Sequence, residues 1–318
     1  MKIVFTTRLP EKAFDGLALH SLVLPETDCF TVDELMSHLS DADILVPTYD
    51  YNITEPMLQS ALRLQLIANF GAGFNNIPIE WCRQHGVVVT NTPIPVIEPT
   101  AEQCFALMHA VAHRVGELDS RLRMPDYGGI RFGVMHNLGR SLFGMTLGII
   151  GMGRIGQALA RRAVAAGMKI VYHNRHRLSS QIEKRYDAHY VSFDELLRIS
   201  DFVSLNLPYS PEVHHLIDSA ELQIMKPTAF LVNTARGAHV NEQALAHALR
   251  NNEIAGAAMD VFENEPHISA DLLQCRNAVF SPHIGTGTIE GRIATCESVV
   301  ENIKAYLCGD FSRLNRVV

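Results

Sequence analysis

The residues from 142 to 177 constrain the fold of this chain more than any other part of the sequence. An apolar run of strand length, Thr146–Ile150, leads into a turn with glycines at positions 151, 153 and 156, the pattern G-x-G-x-x-G. Apolar residues at helical spacing follow, Gly167 ends that segment, and Lys169–His173 is typical of a second strand. Glycines in this order permit a tight turn, a close approach of phosphate to the backbone, and close packing of helix on sheet. The segment therefore predicts a strand–turn–helix–strand unit that binds a dinucleotide at the amino end of its helix.

The end of the second strand indicates which dinucleotide would bind. An NAD site usually carries an acidic residue about 20 residues after the glycines, where it binds the ribose 2′-hydroxyl. The corresponding residues, 172 to 177, include Asn174 and Arg175 and no carboxylate. A carboxylate would repel a 2′-phosphate, whereas a guanidinium binds it through paired hydrogen bonds. We therefore predict NADP(H) as the preferred cofactor, with NAD(H) possible, and Asn174 and Arg175 as the first contacts. The alternative is that these are solvated basic residues at a strand end.

Length and composition argue against several classes of protein. A chain of 318 residues is long enough for two domains. A net charge of -7 and the lack of a long basic run argue against a nucleic-acid partner. The sequence has no apolar stretch long enough to span a bilayer, and its first residues lack the apolar core of a signal peptide. The six cysteines show neither a disulfide framework nor zinc-site spacing, so we expect no metal site and a cytoplasmic location.

Residues 1 to 98 are predicted to form a substrate domain without a glycine fingerprint. Strand-like runs alternate with helical segments, which favours a parallel sheet covered on both faces. Thr31 and Glu34 have the spacing of a capping box at the start of one helix. The glycine turn at residues 71 to 73 follows a predicted strand, and its backbone N–H groups could hold a carboxylate. A plain glycine turn is an equal alternative for this segment.

A proline-rich segment, residues 91 to 99, is predicted to link this domain to the next. Its prolines are unsuited to a helix interior. Thr100 is the predicted cap of a helix that reaches about Arg123, and residues 125 to 140 are predicted to be a loop. Residues 99 to 287 would form the dinucleotide-binding domain, followed by a long amphipathic helix within residues 288 to 318.

Polar side chains suited to catalysis follow three predicted strands of the second domain. Arg236 follows one strand, three carboxylates between Asp260 and Glu265 follow the next, and His283 follows the last. Hydride transfer to a carbonyl requires a proton donor, and histidine can serve near neutral pH. A carboxylate can orient the imidazole, and the planar guanidinium of arginine suits a substrate carboxylate. Each residue alone could be a structural or surface group, but together, beside a dinucleotide fold, they favour a redox site.

Several motifs in a fixed order give the chain a resemblance to a known family. They are GAGFNNI from Gly71, NTP from Asn91, TAE from Thr100, LGIIGMGRIGQ from Leu147, NTARG from Asn233, MDVFENEP from Met259 and SPHIG from Ser281. A chain with these motifs resembles the D-isomer-specific 2-hydroxyacid dehydrogenases, which include glyoxylate/hydroxypyruvate reductases, D-lactate dehydrogenases and phosphoglycerate dehydrogenases. The pattern is most similar to the NADP-preferring glyoxylate/hydroxypyruvate reductases.

The resemblance implies an α/β fold of two doubly wound parallel-sheet domains. A Rossmann cofactor domain would be inserted in a flavodoxin-like substrate domain, to which the last helix, in residues 288 to 318, would return. The enzyme would be a homodimer that transfers a hydride between NADP(H) and a small 2-keto acid or D-2-hydroxy acid.

The resemblance also implies roles for individual residues. Arg236 would bind the substrate carboxylate and carbonyl, and Glu265 would pair with His283, the general acid in reduction and the base in oxidation. The backbone at Ala72 and Gly73 would hold the substrate carboxylate. The residues expected to contact the cofactor are Thr100, Gly151, Gly153, Arg154, Ile155, Gly156, Asn174, Arg175, Leu207, Pro208, Thr234, Asp260, His283 and Gly285. Of these, Arg154 and Ile155 would lie on the pyrophosphate and Asp260 near the nicotinamide.

The chain departs from the family pattern at Asn206, where members often carry histidine, and it lacks the tryptophan often found near residues 125 to 135. The resemblance implies that Asn206 lies near the adenosine end of the cofactor, so the departure would affect cofactor binding and leave the chemistry intact. Phosphite dehydrogenases, which resemble this chain at arginine, glutamate and histidine, are one alternative. Formate dehydrogenases have an amide in place of Glu265, which argues against them. A non-catalytic NAD(P)-sensing interaction protein is the third possibility, although such proteins carry long flanking extensions that we do not expect here.

Overall fold

The computed structural model describes residues 1–318, with residue 11 described by its backbone only. The strands, in chain order, are β1 (Lys2–Phe5), β2 (Ser21–Val23), β3 (Ile44–Val46), β4 (Leu66–Ala68), β5 (Val88–Thr90), β6 (Thr146–Ile150), β7 (Lys169–His173), β8 (Ala188–Tyr190), β9 (Phe202–Leu205), β10 (Phe230–Asn233), β11 (Gly256–Met259) and β12 (Ala278–Phe280). The α-helices are α1 (Val32–Leu39), α2 (Glu55–Ser60), α3 (Ile79–Gln84), α4 (Ile97–Ala112), α5 (Val115–Leu122), α6 (Arg154–Ala165), α7 (Ser180–Tyr186), α8 (Phe193–Ile199), α9 (Ser219–Ile224), α10 (Glu242–Arg250), α11 (Ala270–Leu273) and α12 (Ile289–Leu307). The chain divides into two compact units, residues 1–96 with 286–318 and residues 97–285.

The smaller unit is built on a parallel sheet with strand order β2-β1-β3-β4-β5, the flavodoxin-like order. Its central strands are short apolar runs, and β3 is fully buried because both faces of the sheet are covered. Residues of α1, α2 and α3 contribute to the core on one face, and residues of α12 to the core on the other. The predicted capping box begins α1: the Glu34 N–H donates to Thr31 Oγ1 at 3.3 Å, and the Thr31 N–H donates to Glu34 Oε2 at 2.8 Å.

The larger unit is built on a seven-stranded parallel sheet with the order β12-β11-β10-β9-β6-β7-β8. The chain winds outward from β6 in one direction to β8 and then, from β9, in the other direction to β12. This reversal makes the gap between β6 and β9 a topological switch point, where doubly wound sheets bind ligands at the carboxyl ends of the strands. The predicted fold class of two doubly wound parallel-sheet domains, with a Rossmann domain inserted in a flavodoxin-like one, is confirmed.

The structure corrects the helix predicted from Thr100 to about Arg123. Helix α4 begins at Ile97, so Thr100 lies inside it and does not cap it. Pro99 occupies the first turn, where the N–H that proline lacks would have no helical partner. The proline-rich segment therefore includes the first turn of a helix.

The same predicted helix is interrupted at Arg114, whose φ of 59° is left-handed and separates α4 from α5. The guanidinium of Arg114 donates two hydrogen bonds of 2.8 Å to Glu117, which stabilise the start of α5. Within the predicted loop of residues 125 to 140, Pro125–Gly129 forms a tight turn in which Asp126, Tyr127 and Gly128 have left-handed φ of 53°, 53° and 55°.

Several short elements, among them β2, β8 and α7, were not anticipated from the sequence. Strands β2 and β8 lie at the edges of their sheets and are only partly buried, so they lack the continuous apolar run that marks the other short strands. Helix α7 buries only Tyr186, so it carries no apolar stripe. Among the described residues, the helices are all too short or too polar to cross a membrane.

Candidate active site

The residues suited to catalysis follow three strands that lie side by side in the larger unit. Because β10, β11 and β12 are parallel neighbours, their carboxyl ends meet at one edge of the sheet. Arg236 follows β10, Glu265 follows β11, and His283 follows β12. The sheet thus brings together side chains that are far apart along the chain.

His283 and Glu265 form a short hydrogen-bonded pair. The imidazole Nδ1 lies 2.7 Å from Glu265 Oε2, and the Phe262 N–H donates to Glu265 Oε1 at 2.8 Å. Burial acts to raise the pKa of Glu265, but the hydrogen bond and charge of His283, the Phe262 N–H and the charge of Arg236 together hold the pKa below its ordinary value. Glu265 is therefore ionised near neutral pH and orients the imidazole through Nδ1.

Asp260 supports the turn that carries His283. Its side chain is 1% exposed and accepts hydrogen bonds from the Ser281 hydroxyl at 2.5 Å and from the N–H groups of Ile284 and Gly285 at 2.9 and 2.8 Å. The backbone carbonyl of Asp260 accepts from the His283 N–H at 2.7 Å, and His283 has a left-handed φ of 53°. Burial raises the pKa of Asp260, although these donors and the charge of His283 act to lower it. Asp260 therefore fixes an otherwise unfavourable backbone conformation at His283.

Arg236 is positioned by the turn that follows β10. The Asn233 amide closes this turn: its Nδ2 donates to the Arg236 carbonyl at 2.8 Å, and its Oδ1 accepts from the Ala235 N–H at 3.0 Å. A Cβ added to Gly237 would come within 1.8 Å of the Phe262 carbonyl carbon, so only glycine lets this turn pack against the turn after β11. That close packing places the positive charge of Arg236 near enough to Glu265 to lower its pKa.

The glycine turn between β6 and α6 is shaped by two close backbone approaches and one open position. Gly151 has a φ of 91°, and a Cβ there would lie 2.8 Å from the Asn206 carbonyl carbon. A Cβ on Gly156 would lie 2.6 Å from the Gly151 carbonyl oxygen, whereas a Cβ on Gly153 would meet no atom within 4 Å. Gly153 also precedes α6 without a side-chain cap, so the first N–H groups of the helix, starting at Arg154 and Ile155, are left for an anion.

The far end of the cofactor region contains Asn174 and Arg175. Asn174 Oδ1 accepts from the Met152 N–H at 2.7 Å, so this side chain braces the glycine turn, a role that the sequence did not suggest. Arg175 is exposed. The Ser210 hydroxyl does most to hold the pKa of Glu212 below its ordinary value, and the charge of Arg175 adds to that effect. Arg175 therefore lies near the segment that follows β9.

The remaining predicted cofactor contacts lie along the same edge of this sheet. Leu207 and Pro208 lie two and three residues after the end of β9, which pairs with β6 at the switch point. Thr234 directly follows β10 and is 8% exposed. Thr100, in α4, lies beside Gly285, because a Cβ on Gly285 would be 3.5 Å from Thr100 Cγ2.

These residues fit a dinucleotide. Gly153 leaves open space in front of an uncapped helix end, which is the arrangement that accommodates a pyrophosphate. Beside it, among the described residues, Asn206 Oδ1 is buried without a hydrogen-bond partner. When bound, a nicotinamide dinucleotide would supply the hydride chemistry, held by the turn from Gly151 to Gly156.

Ala72 and Gly73 lie in the smaller unit, in a turn whose carbonyl groups are held by side-chain amides. Asn69 Nδ2 donates to the Gly73 carbonyl at 2.7 Å, and Asn91 Nδ2 donates to the Ala72 carbonyl at 2.8 Å. Within the described part of the chain, the N–H groups of Ala72 and Gly73 donate no hydrogen bond. The sequence indicated this turn but not the role of the two asparagines, which directly follow β4 and β5.

Comparison with known proteins identifies the family. Residues 105–285 match the family model described as D-isomer specific 2-hydroxyacid dehydrogenase, NAD binding domain. The glyoxylate reductase of Thermococcus litoralis is 42% identical over 278 residues, which are 87% of this chain and 84% of that protein.

Solved structures agree. A protein from Thermus thermophilus superposes with a TM-score of 0.92 at 37% identity, over 100% of both chains. The NADPH-dependent glyoxylate/hydroxypyruvate reductase from Sinorhizobium meliloti, in complex with NADP and malonate, gives a TM-score of 0.83 at 28% identity and covers 96% of this chain and 93% of its own. The two parallel sheets, the glycine turn and these relatives agree. The chain belongs to the D-isomer-specific 2-hydroxyacid dehydrogenase family and is an NAD(P)-dependent D-2-hydroxyacid dehydrogenase.

Proposed function

We propose that this enzyme reduces a small 2-keto acid of the glyoxylate or hydroxypyruvate type, with NADPH as the preferred reductant. The observation that carries the proposal is the 2.7 Å pair of His283 and Glu265 beside Arg236, at the ends of three neighbouring strands. The glyoxylate reductase of Thermococcus litoralis, 42% identical, supports the substrate class.

In this proposal, the residues of the chain divide the work between binding and proton transfer. The Arg236 guanidinium binds the substrate carboxylate and polarises its carbonyl. His283 donates a proton from Nε2 to the carbonyl oxygen in reduction and takes the proton back in the reverse reaction. A nicotinamide held by the turn from Gly151 to Gly156 would supply the hydride chemistry. Ionised Glu265 stabilises the positive charge of the imidazolium. In the smaller unit, the N–H groups of Ala72 and Gly73 are the proposed donors to a substrate carboxylate.

The preference for NADPH rests on the end of β7. No carboxylate follows this strand in residues 174 to 177, and exposed Arg175 provides a planar cation there. Asn174, beside it, braces the glycine turn through Oδ1, which accepts from the Met152 N–H at 2.7 Å. An acidic residue in this place would favour the 2′-hydroxyl of NADH.

We further propose that the enzyme is a homodimer. Several large apolar side chains are exposed within residues 127 to 143: Tyr127, Phe132, Val134, Met135, Leu138 and Phe143. A monomer rarely exposes so many apolar groups in one segment, and burial against a second copy would remove them from water. Sedimentation velocity of the wild type tests this, and a monomer at micromolar concentration would contradict it.

The substrate and the cofactor are tested together by initial rates with NADPH and NADH against glyoxylate, hydroxypyruvate, pyruvate and phenylpyruvate. We expect the highest kcat/KM with NADPH and either glyoxylate or hydroxypyruvate. Activity with NADH alone would retain the enzyme class and overturn the cofactor preference. No turnover of any keto acid would overturn the substrate class, and phosphite would then be the next substrate to test.

Arg175→Ala tests the cofactor contact directly. We expect the kcat/KM for NADPH to fall about tenfold or more, and that for NADH to change little, because only NADPH carries the 2′-phosphate. Arg177→Ala is the matched control: it removes the same charge nearby, but the Arg177 guanidinium is already paired with Glu183 at 2.8 and 3.0 Å. Equal losses with both cofactors in Arg175→Ala would contradict the assignment.

A further inference from the structure

A second group of chemically active side chains lies in the larger unit, next to the catalytic turns and separate from the reacting groups. It consists of His214, His215 and Glu263, whose possible ligand atoms all lie within 4.8 Å of one another. Among the described residues, no other three histidine, cysteine or acidic side chains come together in this way. The proposed reaction assigns them no role.

The three donor atoms have spacings close to those of a metal centre. Nε2 of His215 lies 2.8 Å and Nε2 of His214 lies 3.7 Å from the same atom, Glu263 Oε1. Ligands about 2.0–2.2 Å from a tetrahedral ion lie roughly 3.3 Å from one another, which falls between the two distances. Shifts of less than about 1 Å in these distances, together with a rotation of one of the two stacked imidazole rings so that both nitrogens face the same point, would therefore open a place for an ion between the three atoms.

The backbone around the cluster is held in place before any ion binds. The His215 N–H donates to the Ala238 carbonyl at 2.8 Å, and the Glu263 N–H donates to Glu242 Oε1 at 2.8 Å. The two imidazole rings stack with centroids 4.0 Å apart. The Tyr209 hydroxyl lies 3.4 Å from Nδ1 of His214, so the ring nitrogen opposite the candidate ligand atom already has a polar neighbour. Such outer partners fix which imidazole nitrogen is available to a metal.

The cluster is accessible from solvent. The side chains of His214, His215 and Glu263 are 45%, 30% and 25% exposed, so an ion could enter and water could complete its coordination. Two imidazoles and one carboxylate suit Zn²⁺ and similar transition-metal ions, whereas Mg²⁺ and Ca²⁺ prefer oxygen ligands alone. Cysteine spacing could not indicate this site, because it contains no cysteine.

We propose that His214, His215 and Glu263 bind one divalent transition-metal ion of the Zn²⁺ type. The ion displaces the proton shared between His215 and Glu263 and joins the segment after β9 to the turn after β11. Glu263 lies two residues before Glu265, so the ion would lock the turn that carries the catalytic carboxylate. The site does not depend on which substrate the enzyme reduces.

Isothermal titration of chelator-treated enzyme with Zn²⁺ tests the proposal. The titration uses a Cys29→Ser/Cys308→Ser background, because these two exposed thiols would also bind zinc. We expect one ion per chain and a rise in Tm with zinc concentration. His214→Ala and Glu263→Gln should each weaken binding at least tenfold and abolish the rise in Tm. Glu263→Gln retains a carbonyl oxygen that can accept from His215, so it is expected to fold.

His247→Ala is the matched control, because His247 lies 3.5 Å from Glu253 as a single exposed imidazole beside a carboxylate. This variant should bind zinc as the background protein does. Unchanged affinity in both His214→Ala and Glu263→Gln would show that the ion binds elsewhere and would overturn the proposal. Absence of binding at about 100 µM Zn²⁺ in the background protein would overturn it as well.

Discussion

Two parts of the same sheet edge in the larger unit are suited to ligands in opposite ways, one by side chains that are held in place and the other by the absence of a side chain. After β10, β11 and β12, side chains are present and held: Glu265 orients His283 at 2.7 Å, and Asp260 secures the turn beneath that histidine. After β6, the useful feature is an absent side chain, because a Cβ on Gly153 would occupy open space in front of α6. The catalytic turns should therefore be sensitive to the loss of atoms, and the glycine turn to their addition.

The reason lies in what each part is proposed to bind. A reacting carbonyl needs a proton and a counter-charge at fixed points, which only side chains supply. A pyrophosphate is bound by backbone N–H groups and a helix end, and any side chain in front of them is an obstacle. The following predictions test this contrast, beginning with the largest expected effect.

Replacement of His283 is the most direct test of this contrast, because the largest loss of activity is expected there. For His283→Asn, we expect kcat for keto-acid reduction to fall about 10²–10⁴-fold, because the proposed proton donor is lost. Cofactor binding, followed by the fluorescence of the reduced nicotinamide, should remain within a few fold of the wild type. His267→Asn, an exposed histidine two residues after Glu265, is the control and should keep full activity. Retained turnover in His283→Asn would show that another acid acts.

Arg236 should be nearly as sensitive, but mainly in substrate binding. For Arg236→Gln, we expect kcat/KM to fall about 10³-fold, since the planar guanidinium makes paired, charge-assisted hydrogen bonds to a carboxylate. Arg236→Lys keeps the charge and loses the fork, so an intermediate loss in the same assay would separate charge from geometry. Equal activity in the lysine variant and the wild type would mean that charge alone is required.

The pH dependence of the unfolding free energy of Glu265→Gln tests whether Glu265 is held as a charged partner. Because the folded pKa of Glu265 is below the ordinary value of 4.5, its ionised form contributes stability above that pH. This contribution disappears as pH falls through the folded pKa. We therefore expect the difference in unfolding free energy between the wild type and Glu265→Gln to shrink from about pH 6 to about pH 3, as measured by urea denaturation. A difference independent of pH would contradict the charged pairing.

The reductase rate of Glu265→Gln gives a second measure of the same pair. We expect kcat to fall about 10–100-fold, less than in His283→Asn, because the proton donor is still present but less well oriented. An unchanged kcat would assign Glu265 a purely structural role.

The smallest expected effect on activity distinguishes two glycines of one turn. Gly153→Ala should raise the KM for the cofactor about tenfold, with little change in Tm, because its Cβ meets no protein atom within 4 Å. Gly156→Ala should instead lower stability by about 1–3 kcal/mol, because its Cβ would lie 2.6 Å from the Gly151 carbonyl oxygen. Thermal melts with and without NADPH separate the two, and matching behaviour of the variants would contradict the assigned roles.

Elements with strong local patterns were predicted well. The strand at Thr146–Ile150 and the glycine turn after it were recognised because both the apolar run and the glycines lie within a few residues of each other. The capping box of Thr31 and Glu34 is equally local. Elements without such a local pattern were not predicted. Helix α7 has only one buried residue, and β8 is defined only by its pairing with β7.

The site shows the same division. The sequence alone identified Arg236, Glu265 and His283 as candidates, because residue type and position after an apolar run are enough to suggest chemistry at the end of a strand. The supporting contacts were beyond its reach, since they join residues far apart along the chain. No local pattern indicates the hydrogen bond from the Ile284 N–H to Asp260. The same is true of the contacts of His214 and His215 with Glu263.

The order of strands and helices, the dinucleotide turn and the types of catalytic side chain were thus encoded locally, in hydrophobic period and in glycine spacing. Which side chains meet depended on the sheet, because parallel pairing brings the ends of β10, β11 and β12 to one edge whatever their separation along the chain. A Cβ on Gly237 would lie 1.8 Å from the Phe262 carbonyl carbon only because the turns after β10 and β11 are packed together in the tertiary structure. The same packing brings Arg236 close to Glu265.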